Sequence, residues 1–537
     1  MKASLLQEYL DLTATRAPDA TAVVSDAGSI SYAELAARSN RLARLLRESS
    51  CKKGDRIGLL LPKSIDAIVG MLAALKAGCI YVPMDTTSPP TRLQMVLESS
   101  NCKCLLAANS SASVLKQLIP DSEHSCISIG WLGDVAPAEL TVKFTSSDLS
   151  GMAASQLDYV NRSTDVAHLL FTSGSTGRPK GVMITHTNVC QYVHWATRHF
   201  SYSASDRVSG HPPLHFDLST MDIYCALASG AELHLVPPQL SLLPHKIANF
   251  IREHELTQWF SVPSLLAYMA KFDVVRQDDF PSLRRVLWCG ERFPTPELIY
   301  WMKRLPNVKF TNLYGPTEAT IASSYYDVPA CPESGEAPIP IGAACDGEGL
   351  LVLDENLKHV AAGEIGHLYI SGCGLSPGYW NDIEKTKAAF LEEPFGPGSE
   401  RIYKTGDLAS VGPEGLVYLH GRSDSQIKSR GYRIELGEIE TVLHTTDGVR
   451  EAAVVAVNSG AFEGATICCA FVPESSSKLE IPALRQKLSS RLPAYMIPTR
   501  WASLEGLPLN ANGKVDRPQL RRQFEQISEP ASSPAIS

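Results

Sequence analysis

Between Val166 and Gly315 short apolar runs alternate with amphipathic stretches. VAHLLF, AELHLVP, TQWFSV and RRVLWC are compact and apolar, as buried strands are, whereas NVCQYVHWATRHF, HKIANFIREHEL and PSLLAYMAKF carry their apolar residues at helical spacing. That βαβα order predicts parallel strands covered by helices. Gly230 marks the end of the helix that follows Ser219, and Pro263 and Pro296 mark first helical turns. An earlier stretch, IGLLLPKSIDAIVGMLAALKAGCIYVP, repeats the strand, helix, strand order without a sequence repeat, so at least two doubly wound layers are expected. From about Leu350 the texture changes to short strands with glycine turns, GHLYISGCG and EGLVYLHGR, which suits a small antiparallel β unit. After Asp424 the runs LGEIETVLHTTDG, EAAVVAVN, ATICCAFVPE, IPALRQKLSSRL and RWASLEGLP read as α, β, β, α, β. The predicted fold class is therefore α/β: a large N-terminal region over residues 1–423, a compact α+β domain over 424–527 and a solvated tail over 528–537.

Bulk properties narrow this picture. At 537 residues the chain exceeds what a single core usually organises, and 44% hydrophobic with 20% charged residues is a globular composition. A net charge of -8 argues against a ligand held by its phosphate backbone, so nucleic acid is not expected as a partner. The 13 cysteines include no C-x-x-C pair, which favours reduced thiols over a disulfide framework or a zinc site. Gln7, Glu8 and Asp11 interrupt any apolar start, and about 18 uninterrupted apolar residues occur nowhere. A cytoplasmic protein without a membrane partner is the expectation.

Five segments carry candidate chemistry. FTSGSTGRPKGV, from Phe171 to Val182, is a strand end followed by a loop of hydroxyls and glycines and then a lysine. Glycines let backbone N–H groups approach phosphate oxygens, and Lys180 offsets their charge. Pro179 before the lysine departs from the Walker pattern, which disfavours an ordinary P-loop ATPase. NLYGPTE places Tyr314 as a flat stacking surface and Glu318 as a hard oxygen ligand suited to Mg²⁺. In YKTGDL the carboxylate of Asp407 suits two ribose hydroxyls; GRSDSQIKSRGYRIELGEIE is a basic loop feeding a helix, and NGKVDR puts Lys514 on an Asn-Gly turn. Taken singly, each is also an ordinary feature: a surface loop, a tight turn, a hairpin aspartate, a solvated charge run, an exposed lysine.

Jointly, from about Ser31 to Arg517, the chain resembles the adenylate-forming enzymes, and specifically the adenylation domains of nonribosomal peptide synthetases. LKAGCIYVPMD, FTSGSTGRPKG, FDLS, NLYGPTE, YKTGDL, GRSDSQIKSRGYRIE, LPAYM and NGKVDR follow the family's motif order. Lys404 and Ser429 are mild departures. The resemblance implies an ATP- and Mg²⁺-dependent ligase that joins an amino-acid carboxylate to AMP. An ionised carboxylate needs no general base, so positioning and charge do the work. It assigns catalysis to Lys514, Thr317 and Glu318, with Glu318 as the metal ligand. ATP falls to Thr172, Ser173, Gly174, Ser175, Thr176, Gly177, Lys180, Cys289, Gly290, Glu291, Asn312, Tyr314, Gly315, Thr317, Asp407, Arg422 and Lys514, and the hinge between half-reactions to Asp424.

The family's pocket positions fall on Asp217, Leu218, Met221, Phe260, Leu287, Cys289, Leu313, Ile321, Ala322 and Lys514. Asp217 matches the aspartate that pairs with a substrate ammonium, which a fatty acid lacks; this separates the reading from an acyl-CoA synthetase. The remaining walls are apolar or a thiol, which excludes charged side chains and resembles L-proline-activating members, with alanine, 2-aminobutyrate and valine as competitors. No carrier-protein motif follows Arg517, so a separate carrier protein bearing phosphopantetheine is the expected acceptor. Lys478 to Glu525, with nine Lys/Arg against four Asp/Glu, suits an acidic carrier, although helical surfaces are often this basic. An aminoacyl-tRNA synthetase is disfavoured for want of its signatures. A non-catalytic binding module is disfavoured by the joint presence of Lys180, Glu318 and Lys514.

Overall fold

The structure, a computed structural model, describes residues 3–119, 126–174, 177–392, 401–458, 465–474, 479–510 and 514–526. Its residues cluster into two compact units. The first comprises 1–86, 96–171 and 180–423, and the second comprises 87–95, 172–179 and the chain from Asp424 on.

Two large sheets dominate the first unit. One runs in the order Phe144–Thr145, Ser128–Trp131, Cys102–Ala107, Arg56–Leu60, Ile80–Pro83, Val166–Thr172 and Lys180–Thr185. The other runs Ala343–Ala344, Ser324–Asp327, Lys309–Tyr314, Arg285–Cys289, Gln258–Ser261, Arg207–Gly210, Glu232–Leu235, Thr21–Ser25 and Gly28–Ser31. The βαβα stretch read from the sequence therefore does not lie in one sheet. Val166–Thr172 belongs to the first and Arg207 onward to the second. Central pairs are parallel, such as Ile57 opposite Tyr81 and Phe260 opposite Leu287, and antiparallel strands close both edges of the second sheet. One cluster of buried side chains extends from Ile57 and Tyr81 through the helices Ile65–Ala77 and Leu218–Ser229 to Val208 and Leu233. The near-continuous apolarity of these helices follows from burial on both sides.

Local signals set the helix ends. Ser64 accepts the N–H of Ala67 at the start of Ile65–Ala77, and Gly78 ends it at φ 86°. Gly230 ends Leu218–Ser229 in the same left-handed conformation, and Pro263 and Pro296 occupy first turns, as the sequence predicts. Next comes an antiparallel sheet of Glu348–Leu353, Gly366–Gly372, Phe390–Glu392, Arg401–Val411 and Val417–Arg422.

In the second unit the hairpin Gln426–Ser429 and Tyr432–Glu435 leads into the helix Leu436–His444. Val449–Asn458, Ala465–Pro473 and Arg500–Ser503 then form a sheet with the helices Ile481–Ser489 and Arg517–Gln526. No helix among the described residues is long and apolar enough to cross a membrane.

Candidate active site

The hydroxyl and glycine loop leaves the end of Val166–Thr172 and returns as the strand Lys180–Thr185. Ser175 and Thr176 lie outside the described residues. Gly177 sits at φ 75°, a conformation its lack of a Cβ makes inexpensive. The hydroxyl of Thr172 is shut away from solvent and has no hydrogen-bond partner among the described residues, as a donor waiting for an oxygen would be. Ser173 donates its hydroxyl to the Arg433 carbonyl at 2.8 Å, and the N–H of Gly174 donates to the Glu438 carboxylate at 3.2 Å. Glu438 is fully buried and paired with Arg92. Burial outweighs that partner and pushes its carboxyl upward.

Lys180 carries its ammonium 5.1 Å from the ring centre of Tyr379, and the Tyr379 hydroxyl donates to Glu318 at 2.8 Å. Tyr379 thus links the loop lysine to the candidate metal ligand. Sequence reasoning missed it, although its neighbourhood Gly378-Tyr379-Trp380 was visible. Glu318 lies buried on the single turn Thr317–Ala319 just beyond the strand Lys309–Tyr314. Among the described residues no group of three or more His, Cys, Asp or Glu forms a protein cage for a metal. A carboxylate is a hard oxygen donor of the kind Mg²⁺ takes.

After Glu318 the backbone enters the left-handed region twice in succession, at Thr320 (φ 57°) and Ile321 (φ 75°). Two adjacent β-branched residues there are costly and persist only where their surroundings hold them. Gly315 closes the same corner: a Cβ on it would lie 2.6 Å from the Ala322 Cα.

Tyr314, Asp407 and Arg422 come together. The Tyr314 hydroxyl donates to one oxygen of Asp407 at 2.5 Å, Arg422 donates to the other at 2.9 Å, and Arg422 also reaches the Thr405 carbonyl. Burial raises the Tyr314 phenol well above its usual range, so it stays a donor. Cys289 ends its strand, Gly290 follows at φ 100°, and Glu291 accepts the Ser264 N–H. Asn312 donates its amide to the Pro340 carbonyl.

The pocket candidates also converge. Phe260 pairs in register with Leu287, and Cys289 with Leu313, so alternation puts these four on one face of the second sheet. They belong to one buried cluster with Leu218, Met221, Ile321 and Ala322. Asp217, 8% exposed, is the residue from which the helix Leu218–Ser229 starts. The Tyr192 hydroxyl meets the Met221 sulfur at 3.3 Å, a wall contact the sequence did not reveal.

In the second unit Asp424 accepts the Gln426 N–H, and Lys514 is exposed with its N–H on the Asn510 side chain. Asn512 and Gly513 of the NGKVDR turn lie outside the described residues.

Residues 10–380 match the AMP-binding enzyme family and residues 438–514 the AMP-binding enzyme C-terminal domain. Tyrocidine synthase 3 of Brevibacillus parabrevis is 36% identical over 99% of the chain, which spans only 8% of that protein's length. The L-proline--[L-prolyl-carrier protein] ligase of Pseudomonas fluorescens is also 36% identical, over 97% of this chain and 99% of its own. Among solved structures, the Vibrio cholerae adenylation domain AlmE, in complex with glycyl-adenosine-5'-phosphate, superposes with a TM-score of 0.85 at 26% identity over 97% of this chain and 98% of that one. With the loop, the Tyr314, Asp407 and Arg422 group and the strand order all accounted for, the chain belongs to the AMP-binding enzyme family.

Proposed function

We propose that this protein activates L-proline with ATP, forming prolyl-AMP and pyrophosphate, and then passes the prolyl group to the phosphopantetheine thiol of a separate carrier protein. The observation that carries the substrate assignment is the wall itself: Phe260, Leu287, Cys289, Leu313, Met221, Ile321 and Ala322 form one apolar cluster, and Asp217 stands at the start of the helix carrying Met221. A carboxylate beside an otherwise apolar wall suits an ammonium on a small aliphatic frame, since a charged or amide side chain would go unpaired there. Similarity along nearly the full length of the Pseudomonas fluorescens proline ligase supports the same reading.

In the first half-reaction a substrate carboxylate oxygen attacks the α-phosphorus of ATP, and the bond to the β-phosphate oxygen breaks to release pyrophosphate. Asp407, oriented by Tyr314 and Arg422, would accept the ribose hydroxyls, and the orphaned Thr172 hydroxyl with Lys180 would meet phosphate oxygens. Glu318, held by Tyr379, fits a Mg²⁺, which when bound would neutralise phosphate charge. Lys514 would meet the charge that develops in this step. In the second half-reaction the carrier thiol attacks the adenylate carbonyl, a C–S bond forms and AMP leaves; residues beyond Asp424 would rotate between the two steps. ATP–pyrophosphate exchange measured across the proteinogenic amino acids should give L-proline the highest kcat/KM. A different amino acid in first place reassigns the pocket, and no exchange with any of them overturns amino-acid adenylation.

A further inference from the structure

Behind the Thr320–Ile321 corner stands Glu348, a carboxylate that none of the steps above employs. It lies at the start of the strand Glu348–Leu353. One oxygen accepts the Gly374 N–H at 2.7 Å and faces the Cys373 sulfur at 3.3 Å. The other is shut away from solvent with no hydrogen-bond partner among the described residues. Gly374 is sandwiched: a Cβ on it would lie 2.8 Å from Glu348 Oε1 and 2.8 Å from the Ala319 carbonyl oxygen.

From this turn two bonds run to the corner. The Thr320 hydroxyl donates to the Gly374 carbonyl at 2.6 Å, and the Ser376 N–H donates to the Glu318 carbonyl at 2.9 Å. Asn188 steadies the same turn through the carbonyls of Cys373 and Leu375. The strained segment that carries Glu318 at one end and Ile321 and Ala322 at the other is thus fastened to the turn that Glu348 holds.

We propose that Glu348 is a positioning residue for the amino-acid pocket, setting the Ile321 and Ala322 wall through Gly374 and Thr320. The inference rests on the adenylation reading above. Burial pushes the Glu348 carboxyl up to about 7. The titratable groups facing it are the Cys373 thiol, pushed up to about 12, and the Cys345 thiol, pushed higher still, so both stay neutral. Asp346, paired with Arg198, lines the same small cavity. The sign follows from the burial. The closed turn holds the Glu348 proton more tightly than an opened, solvated one, so closure is fully favoured below the ordinary carboxyl value of 4.5, weakens as pH rises toward about 7 and changes no further above it.

Glu348→Gln and Glu348→Ala test this with two readouts. Hydrogen exchange of peptides spanning 315–325, corrected for intrinsic rate, should accelerate in the native protein between about pH 5 and 7.5 and level off above. E348Q should show no such acceleration, and E348A should exchange fast throughout. In the exchange assay, with L-proline or whichever amino acid the panel places first, KM for the amino acid should rise about five-fold over that range in the native enzyme. It should stay flat in E348Q and be raised at every pH in E348A, while KM for ATP moves less than about two-fold. Peptide exchange of 315–325 indifferent to both substitutions, or an E348Q profile that keeps the native inflection, overturns the proposal. Because peptide exchange needs no substrate, it decides the positioning role even where no amino acid supports turnover, an outcome that would fall on the adenylation reading instead.

Discussion

At the scale of single residues, the site divides into side chains that announce themselves and side chains that only the fold brings into play. Asp217 is of the first kind only through the resemblance, since FDLS falls where the adenylation domains carry the aspartate that pairs with a substrate ammonium, whereas taken alone an aspartate before a helix is an ordinary cap. Asp217→Ala should raise KM for L-proline by at least about a hundred-fold, because an ammonium left unpaired in a buried site costs several kcal/mol, while ATP binding measured by calorimetry stays as it was. An unchanged KM would return the choice of substrate to acids without an amino group. Asp407 and Tyr314 were legible from their motifs, but the bond between them joins residues far apart in sequence and was not. Tyr379 and Glu348 were illegible for a related reason. A tyrosine in a Gly-Tyr-Trp turn and a glutamate at a strand start carry no local sign of their partners, which arrive from Glu318 and Gly374.

Among the elements, periodicity and punctuation carried most of the reading. Gly230 and Pro263 act within one helical turn, where local chemistry decides, and both stand where the pattern placed them. Which strand joins which sheet is not a local property. VAHLLF and TQWFSV look alike as strings yet lie in different sheets, because helix length and strand order direct each to its neighbours. Gly342 shows how a single position can hold an element in place. At φ 86° its backbone passes so near the Tyr325 carbonyl that a Cβ would lie 1.9 Å from the oxygen. Gly342→Ala should therefore destabilise the first unit by about 2 kcal/mol or more through strain and displacement of the Ser324–Asp327 and Ala343–Ala344 pairing. Urea unfolding followed by tryptophan fluorescence checks it, and a midpoint equal to that of the native protein would mean that the edge strand yields without cost.

For the whole molecule, buried imidazoles set a limit on the acid side. Burial lowers His168 to about 3, His186 to about 4 and His211 to about 3. Each is neutral in the fold and protonates in the unfolded chain below about 6.5, so their contribution is complete above that value and is lost as pH falls from 6.5 through 4 and 3. Tm measured by calorimetry should fall steeply over that window. His168→Gln, which keeps a polar side chain but does not titrate, should flatten the slope, and an identical slope would place the acid sensitivity elsewhere. The make-up of the second unit has a mechanical consequence as well. Residues 87–95 and 172–179 are tethered on both sides to strands and helices of the first unit, yet Arg92 pairs with Glu438, Gly174 donates to Glu438 and Thr91 donates to the Ser490 carbonyl. Within the second unit, removing either Arg92 or Glu438 would leave the other charge buried and alone, a loss on the order of 3–5 kcal/mol. Such a contact works as a clasp, knotting three stretches remote in sequence into one piece.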